Sequence, residues 1–336
     1  MNLFELTLEL IKIPSISGEE ETIGFFLKDY LTELGWTTEL QPVSEKRNNL
    51  IAYLNDSPEI FLSTHMDTVP PFIEPHEDEE KIYGRGACDA KGIIAAQIFA
   101  AENLRKQGFT NLGLLFTVDE ELSSQGAKIA NTHPIAKKCK YLINGEPTDN
   151  YLAIGSKGSL RLLIKTYGKA AHSAYPEEGE SAIEKLLDIL QEIRQTKLPS
   201  DDFFGETTLN IGTISGGLKT NIIPPFAEAG LHVRLTTDER EILKILRSKV
   251  RDKGEIEVLT IAKPVKMLAI EGFNQKVVRF TTDIPHLDNW GKPLLLGPGS
   301  ILVAHTDKEF VRKQDLIEAV SLYETLVKKL NRELEK

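Results

Sequence analysis

Cysteine is nearly absent from this chain, because Cys88 and Cys139 are the only two among 336 residues. A disulfide framework is therefore excluded as an organising principle, and a cytoplasmic location is predicted. No apolar run approaches the roughly 20 residues that span a bilayer, and residues 1–5 lack the basic region that begins a signal peptide. The sequence thus predicts neither a membrane segment nor export.

Basic residues are fewer than acidic ones. The chain has 40 lysines and arginines against 50 acidic residues, which gives a net charge of -10. No basic stripe of the kind that follows a phosphate backbone is present, so nucleic acid is not the predicted partner. Hydrophobic residues make up 41% of the chain and charged residues 27%, as in soluble globular proteins. A length of 336 residues suits two domains.

Strand and helix patterns alternate through the first part of the chain. Runs rich in β-forming residues predict strands at residues 37–40, 49–54, 59–63, 112–118 and 141–144. Apolar residues at helical spacing predict helices at residues 3–13, 22–34 and 92–106. Such alternation favours an α/β fold with a mainly parallel sheet flanked by helices. The pattern resumes near residue 270 and ends in a helix at 313–330. We therefore predict a catalytic domain formed by residues 1–156 and 268–336.

The middle of the chain, residues 157–267, has a different order of elements. It predicts a strand, a helix, two strands, a helix and a strand, at residues 159–167, 179–195, 207–214, 227–235, 238–250 and 255–261. This order is the split βαβ arrangement of a ferredoxin-like α+β domain. The segment is therefore predicted to be an insert within the first domain.

Five acids and histidines lie at the ends of predicted strands or in the loops after them. They are His65, Asp89, Glu121, Glu146 and His305. Open α/β sheets place their sites at this edge. Each residue alone has a plainer explanation, such as a loop histidine, a solvated acid or, for Asp89, a helix cap. Together they form a mixed nitrogen and oxygen set that suits zinc or a neighbouring divalent ion.

Two further acids adjoin these positions. Asp67 lies two residues after His65 and can reach the far imidazole nitrogen, which would fix the tautomer of a ligand histidine. Glu120 precedes Glu121, so one of the pair can bind a cation while Glu120 stays free to take a proton from water. The alternative for the pair is a solvated acidic loop.

The ordered motifs resemble those of the di-zinc aminoacylase and metallocarboxypeptidase family, which includes acetylornithine deacetylase and succinyl-diaminopimelate desuccinylase. The motifs are His65-x-Asp67, Gly-Arg-Gly-x-x-Asp89-x-Lys-Gly, Asp-Glu120-Glu121, Gly-Glu146-Pro and His305-Thr, and they extend over nearly the whole chain. The resemblance implies two Zn²⁺ ions, for which Co²⁺ can substitute, with Asp89 as the bridging ligand. It places His65 and Glu146 on one metal, and Glu121 and His305 on the other.

The same resemblance implies roles for residues outside the metal set. Glu120 would be the general base and then the acid, Asp67 would orient His65, and His172 in Ala-His-Ser-Ala would stabilise the oxyanion. The predicted substrate contacts are Asn221, Arg234, Thr281 and Gly297. For Asn221 and Arg234, turn chemistry and a surface salt bridge are the plainer alternatives. The insert would serve as the lid and dimerisation domain of a homodimer.

The sequence therefore predicts a metal-dependent amidohydrolase that removes the acyl group from an N-acylated amino acid. The specific expectation is N-acetylornithine or N-acetyl-lysine, within amino-acid biosynthesis. A dipeptidase or metallocarboxypeptidase of the same family is the alternative enzyme. A non-catalytic binding protein on the same fold is the alternative of another class. Phe280 stands where many relatives have glycine, which leaves the side-chain specificity open.

Overall fold

The computed structural model describes residues 1–336 as an α/β protein with seven α-helices and eighteen strands. The helices are α1 (Leu3–Lys12), α2 (Glu21–Glu33), α3 (Lys91–Lys106), α4 (Gln125–Ala130), α5 (Ala182–Gln195), α6 (Glu239–Val250) and α7 (Lys313–Leu334). The strands are β1 (Thr37–Ser44), β2 (Arg47–Tyr53), β3 (Ile60–His65), β4 (His76–Glu77), β5 (Lys81–Tyr83), β6 (Gly113–Thr117), β7 (Tyr141–Asn144), β8 (Leu152–Ser156), β9 (Gly158–Tyr167), β10 (Ser200–Asp201), β11 (Gly205–Glu206), β12 (Thr208–Gly216), β13 (Phe226–Leu235), β14 (Gly254–Ala262), β15 (Val265–Lys266), β16 (Gln275–Val278), β17 (Lys292–Leu295) and β18 (Phe310–Arg312). None of the helices is both long enough and apolar enough to span a membrane.

The chain divides into two compact units. The first unit comprises Met1–Ile154, Met267–Lys276 and Thr282–Lys336, and the second comprises Gly155–Lys266 and Val277–Thr281. Residues 155–156 were expected in the first unit and residue 267 in the insert, so these boundaries move by one or two positions. Residues 277–281 were also expected in the first unit. They belong to the second because the Lys157 N–H donates to the Val278 carbonyl and the Thr281 hydroxyl donates to the Lys157 carbonyl.

The first unit is built on a central sheet whose strands run in the order β1-β2-β6-β3-β7-β17. The pairs β6–β3, β3–β7 and β7–β17 are parallel, whereas β1–β2 and β2–β6 are antiparallel. The predicted mainly parallel sheet is confirmed for the central strands. All six residues of β3 are buried, as expected for a strand that is covered on both faces.

Helices cover this sheet and carry its core. Helix α3 packs against α1 and α7, and α2 packs against β1 and β2. Helix α3 buries twelve of its sixteen residues, including Ile94, Ile98 and Leu104. These residues belong to a continuous apolar core with strand residues such as Leu62 and Leu114. The rigid layer so formed fixes the strand ends from which the candidate site projects.

The second unit is a four-stranded antiparallel sheet in the order β12-β13-β9-β14, with α5 and α6 packed against it. The chain order and sheet order together are ferredoxin-like, as predicted. Strand β13 alternates between buried and more exposed residues, and its buried side chains meet Leu186, Ile189 and Leu246 of the two helices. Helix α5 begins at Ala182 rather than at 179, because the Ser181 hydroxyl accepts the Glu184 N–H and caps it.

Candidate metal centre

The predicted ligands lie at one edge of the central sheet in the first unit. His65 ends β3, Glu121 follows β6, and Glu146 follows β7. Asp89 precedes α3, and His305 lies between β17 and β18. Because β3, β6, β7 and β17 are parallel neighbours, their carboxyl ends lie side by side.

Asp89 is the point at which the two histidines meet. Its Oδ1 lies 2.9 Å from Nε2 of His65, and its Oδ2 lies 3.3 Å from Nε2 of His305. Nε2 of His305 also lies 2.8 Å from Oε1 of Glu121. One ligand atom from each of His65, Asp89 and Glu121 lies within 4.8 Å of the others. The two oxygens of Asp89 thus contact two different histidines.

Glu146 follows β7 at the same edge of the sheet. Its side chain is buried, and its Oε1 has no hydrogen-bond partner. Burial, together with the negative charges of Asp89 and Glu121, raises the pKa of Glu146 well above its usual value, against the effect of His65. A buried carboxylate oxygen without a donor is costly unless a cation lies nearby. The residues present therefore fit a site for divalent cations.

The electrostatics of the histidines point in the same direction. Burial acts to lower the pKa of His65, but hydrogen bonds to Asp67 and Asp89 raise it well above its usual value. Hydrogen bonds to Asp89 and Glu121 raise the pKa of His305 to about 10. Burial acts to raise the pKa of Asp89, yet its bonds to His305 and His65 hold it below its usual value. The raised pKa values of the two histidines indicate that the acids around them favour positive charge, which divalent cations would supply.

Asp67 connects two parts of the site, by contacts that differ in part from those predicted. Nδ1 of His65 lies 2.9 Å from the Asp67 backbone carbonyl and 3.5 Å from its carboxylate. The carboxylate accepts the backbone N–H groups of Glu120 and Glu121 at 3.1 and 3.2 Å, and the Ser17 hydroxyl at 2.7 Å. Asp67 therefore orients His65 chiefly through its backbone and holds the acidic pair through its side chain.

Glu120 lies at the rim of this cluster and is only partly exposed. Burial raises the pKa of Glu120 well above its usual value, and the charge of Glu146 adds to this effect. A carboxyl group with a raised pKa beside a metal site has the property that a general base and acid needs. The assignment of that role to Glu120 remains a prediction.

The loop before Glu120 is held by residues that the sequence did not single out. Asp119 has a φ of 71°, and its carboxylate accepts the Ser123 hydroxyl and the Arg47 guanidinium, the latter at 2.7 Å. Arg47 also bonds at 2.6 and 2.8 Å to the carboxylate of Glu20, which is buried. No local pattern connects these residues, which are separated by 27 and 72 positions.

Asp283 is a second feature that the sequence did not assign. Its Oδ2 accepts the Thr117 hydroxyl at 2.7 Å, at the end of β6, while its buried Oδ1 has no partner. Burial raises the pKa of Asp283 to about 6. Its negative charge in turn raises the pKa values of Glu120 and Glu146. The only sequence signal was its place next to the unusual Phe280-Thr281-Thr282 segment.

His172 and Asn221 lie in the second unit, where their two segments are paired. The Ser173 N–H donates to the Asn221 carbonyl, and the backbones of His172 and Ile222 form an isolated antiparallel β-bridge. Nδ1 of His172 accepts the Ala174 N–H at 3.1 Å. In a neutral imidazole this leaves the proton on Nε2, which can then donate to a ligand. Both side chains are exposed, and their roles remain predictions.

Arg234 and Thr281 also contact each other in the second unit. Nη1 of Arg234 lies 3.4 Å from the Thr281 hydroxyl, which donates to the Lys157 carbonyl at 3.1 Å. Burial lowers the pKa of Lys157, and the positive charge of Arg279 lowers it further. Thr281 thus connects the Arg234 guanidinium with the Lys157 backbone.

Gly297 is buried against the segment that carries Glu146. Its N–H donates to the Thr148 hydroxyl at 3.0 Å, and its carbonyl accepts the N–H groups of Thr148 and Asn150. A Cβ at this position would collide with the Glu146 carbonyl. The contacts of Gly297 are thus internal ones, and a contact with substrate stays a prediction.

Comparison with known proteins places this geometry in a family. The model of peptidase family M20/M25/M40 matches residues 61–329. A peptidase M20 domain-containing protein of Schizosaccharomyces pombe is 40% identical, over 97% of this chain and 84% of that protein. A probable carboxypeptidase of Arthroderma gypseum is 36% identical, with the same coverage.

Solved structures agree in fold over almost the full length. A tripeptidase from Staphylococcus aureus superimposes with a TM-score of 0.82 at 24% identity, over 98% of both chains. A Bacillus subtilis protein described as a dinuclear metal binding peptidase gives a TM-score of 0.71 at 16% identity, over 96% and 95% of the two chains. The present chain belongs to peptidase family M20/M25/M40 and is a metal-dependent hydrolase, as its sequence predicted.

Proposed function

We propose that this hydrolase binds two Zn²⁺ ions and cleaves an amide bond whose amine side is an amino acid with a free carboxylate. One ion would be held by His65, Asp89 and Glu146, and the other by Asp89, Glu121 and His305. The observation that carries this proposal is Asp89, whose two oxygens face two different histidines. The similar fold of a Bacillus subtilis protein described as dinuclear metal binding supports it.

The chemistry follows from the residues around the ions. Two bound cations would supply Lewis acidity, which polarises the scissile carbonyl and acidifies the attacking water. Glu120 accepts the proton of that water and later donates it to the leaving amine. His172 is proposed to donate from Nε2 to the developing oxyanion. Asp67 keeps His65 and the Glu120 backbone in place throughout.

The proposed substrate is an N-acetylated basic amino acid, either N-acetylornithine or N-acetyl-lysine. Arg234, supported by Thr281 and with Asn221 as a further contact, is proposed to bind the α-carboxylate. The motifs around Glu146 and His172 support this branch of the family.

A dipeptidase or carboxypeptidase activity is the second candidate. The curated relatives favour it, since several of them are named probable carboxypeptidases. The same metals, base and carboxylate contacts would serve this reaction. The two activities differ in the acyl side, which is an acetyl group in one case and an aminoacyl or peptidyl group in the other.

A substrate panel separates the two candidates. Zinc-loaded protein is incubated with N-acetylornithine, N-acetyl-lysine, N-acetyl-leucine and a set of dipeptides, and the released acid or amino acid is quantified. We expect acetate from the first two compounds at rates well above the others. Cleavage of dipeptides alone would establish the second candidate, and no cleavage of any compound would refute both. Glu120→Gln protein serves as the blank for contaminating hydrolases.

The assembly and location of the protein complete the proposal. We propose a cytoplasmic homodimer in which the second unit provides the dimer contact. Sedimentation equilibrium tests the dimer, which should show twice the chain mass of 37.5 kDa.

A further inference from the structure

Glu309 lies under the loop that carries Asp89 and is buried. Its Oε1 accepts three backbone N–H groups, from Gly86 at 3.0 Å and from Cys88 and Asp89 at 3.2 Å each. Its Oε2 bonds to Nη1 of Arg85 at 2.6 Å. One carboxylate therefore holds nearly the whole turn that leads to the proposed bridging ligand.

The contacts of Glu309 call for a carboxylate rather than any other side chain. Each of the backbone and guanidinium groups around its two oxygens is a hydrogen-bond donor, and only an ionised carboxyl group accepts at both oxygens. Hydrogen bonds of this charge-assisted kind are stronger than neutral ones. A turn held in this way has little freedom to move Asp89.

Glu309 also belongs to the segment that carries His305, four residues earlier. The Glu309 backbone carbonyl accepts the Gly84 N–H, and β18 then pairs with β5, with Val311 opposite Ile82. The segment after His305 is thus joined to the loop before Asp89 by both the backbone and the side chain of one residue. Any shift between the two segments has to break this junction.

We propose that Glu309 is a positioning residue that sets the distance between Asp89 and His305, and thereby the affinity for the metal ion proposed to lie between Asp89, Glu121 and His305. It contacts Asp89 only through the backbone N–H, so it acts through that ligand and does not itself bind the metal. This inference rests on the two-metal site proposed above.

The test is the variant Glu309→Gln, which keeps the size of the side chain. Its amide can still accept from the backbone, but its NH₂ group then faces the donor Arg85. Loss of such a partner behind a metal ligand typically costs about 10- to 100-fold in metal affinity. Titration of metal-free protein with Co²⁺ and Zn²⁺ by calorimetry, with the visible Co²⁺ spectrum alongside, should show that loss for one of two ions.

Glu102→Gln is the matched control. Glu102 is also a buried acid that bonds to an arginine, Arg105, and to the Trp36 indole, but it lies near the far end of α3. This variant should lower the thermal unfolding midpoint of the metal-free protein without changing the affinity for either ion. The same comparison separates a general loss of stability from a specific effect on the metal site.

The outcomes are distinct. Wild-type protein that binds fewer than two ions would refute the proposed metal centre. Wild-type protein that binds two, with Glu309→Gln binding both equally well, would overturn the role of Glu309 alone. If Glu309→Gln does not fold, Arg85→Gln decides, because it removes the ion pair and keeps the backbone bonds. A smaller but measurable loss of affinity is expected there, and unchanged affinity would overturn the inference.

Discussion

Glu120 precedes the ligand Glu121, and its backbone N–H is fixed by Asp67. Burial raises the pKa of Glu120, and the charges of Glu146, Asp283 and Glu121 add to this effect. We therefore propose that Glu120 is the acid of the centre that exchanges a proton during the reaction.

Replacing Glu120 with Gln tests that role at the scale of one residue. The amide has the same shape and removes only the ability to take up a proton. We expect kcat to fall by about 10²- to 10⁴-fold, the usual contribution of a general base. The content of bound metal, measured by plasma mass spectrometry, should stay the same. Activity within a few-fold of wild type would show that the proton acceptor is another group.

Single residues also show how far a sequence can lead. His65, Glu121 and Glu146 were identifiable because each ends or follows an apolar strand, which is a local pattern. Glu309 was not, since its partners at Arg85 and Asp89 lie more than 200 positions away. Asp283 escaped notice for the same reason, because its partner Thr117 is 166 positions distant.

The strands and loops determine where the side chains of the site lie. Parallel pairing of β3, β6, β7 and β17 was expected from the alternation of strands and helices. The small sheet of β4, β5 and β18 was not expected, because strands of two or three residues have no measurable periodicity. Yet this sheet places Glu309 beside the loop of Asp89.

The loop at Gly297 packs closely against the loop that carries Glu146, so a larger side chain at position 297 should be destabilising. The variant Gly297→Ala would push against the Glu146 carbonyl and the Ile93 side chain. We expect a loss of about 1–3 kcal/mol in the free energy of unfolding, as for other overpacked sites, and a loss of bound metal. Thermal unfolding and metal analysis measure both.

Gly24→Ala, in α2, is the control for this change. Its nearest neighbour would be 3.9 Å away, so alanine should be neutral or stabilise by up to about 1 kcal/mol. If both alanine variants behave alike, the tight contact at Gly297 has no energetic consequence.

His232 of β13 gives a prediction on pH. Burial, together with the charges of Arg234 and Arg161, lowers its pKa to about 4, and its Nε2 contacts the Ser159 hydroxyl. Between about pH 6.5 and pH 4, His232 is therefore neutral in the folded state, whereas in the unfolded chain, with a pKa near 6.5, it takes up a proton. Stability should fall as the pH drops from about 6.5 to 4, by on the order of 1 kcal/mol after allowance for partial exposure.

The variant His232→Asn isolates this effect. The difference in unfolding midpoint between wild type and variant at pH 7.5 reports packing alone, since histidine is neutral there in both states. That difference should shrink on acidification toward pH 4.5, because only the wild type is penalised. A difference that stays constant with pH would contradict the lowered pKa.

At the scale of the whole molecule, metal binding by the acids of the centre should raise the free energy of unfolding. The carboxylates of Asp89 and Glu146 are buried, and Oε1 of Glu146 has no hydrogen-bond partner, so the cations proposed here would stabilise the folded state. Treatment with a chelator should abolish activity and lower the unfolding midpoint, and added Zn²⁺ should restore both. A free ion at 100 times its dissociation constant contributes about 2.7 kcal/mol. Equal midpoints with and without metal would contradict this connection.

The central claim is that Asp89 bridges two metal ions, and anomalous diffraction at the zinc edge tests it most directly. Crystals of the zinc-loaded protein should show two peaks about 3.5–4 Å apart, one on each side of the Asp89 carboxylate. His65 and Glu146 should contact one peak, and Glu121 and His305 the other. A single peak, or two peaks that do not share Asp89, would contradict the account.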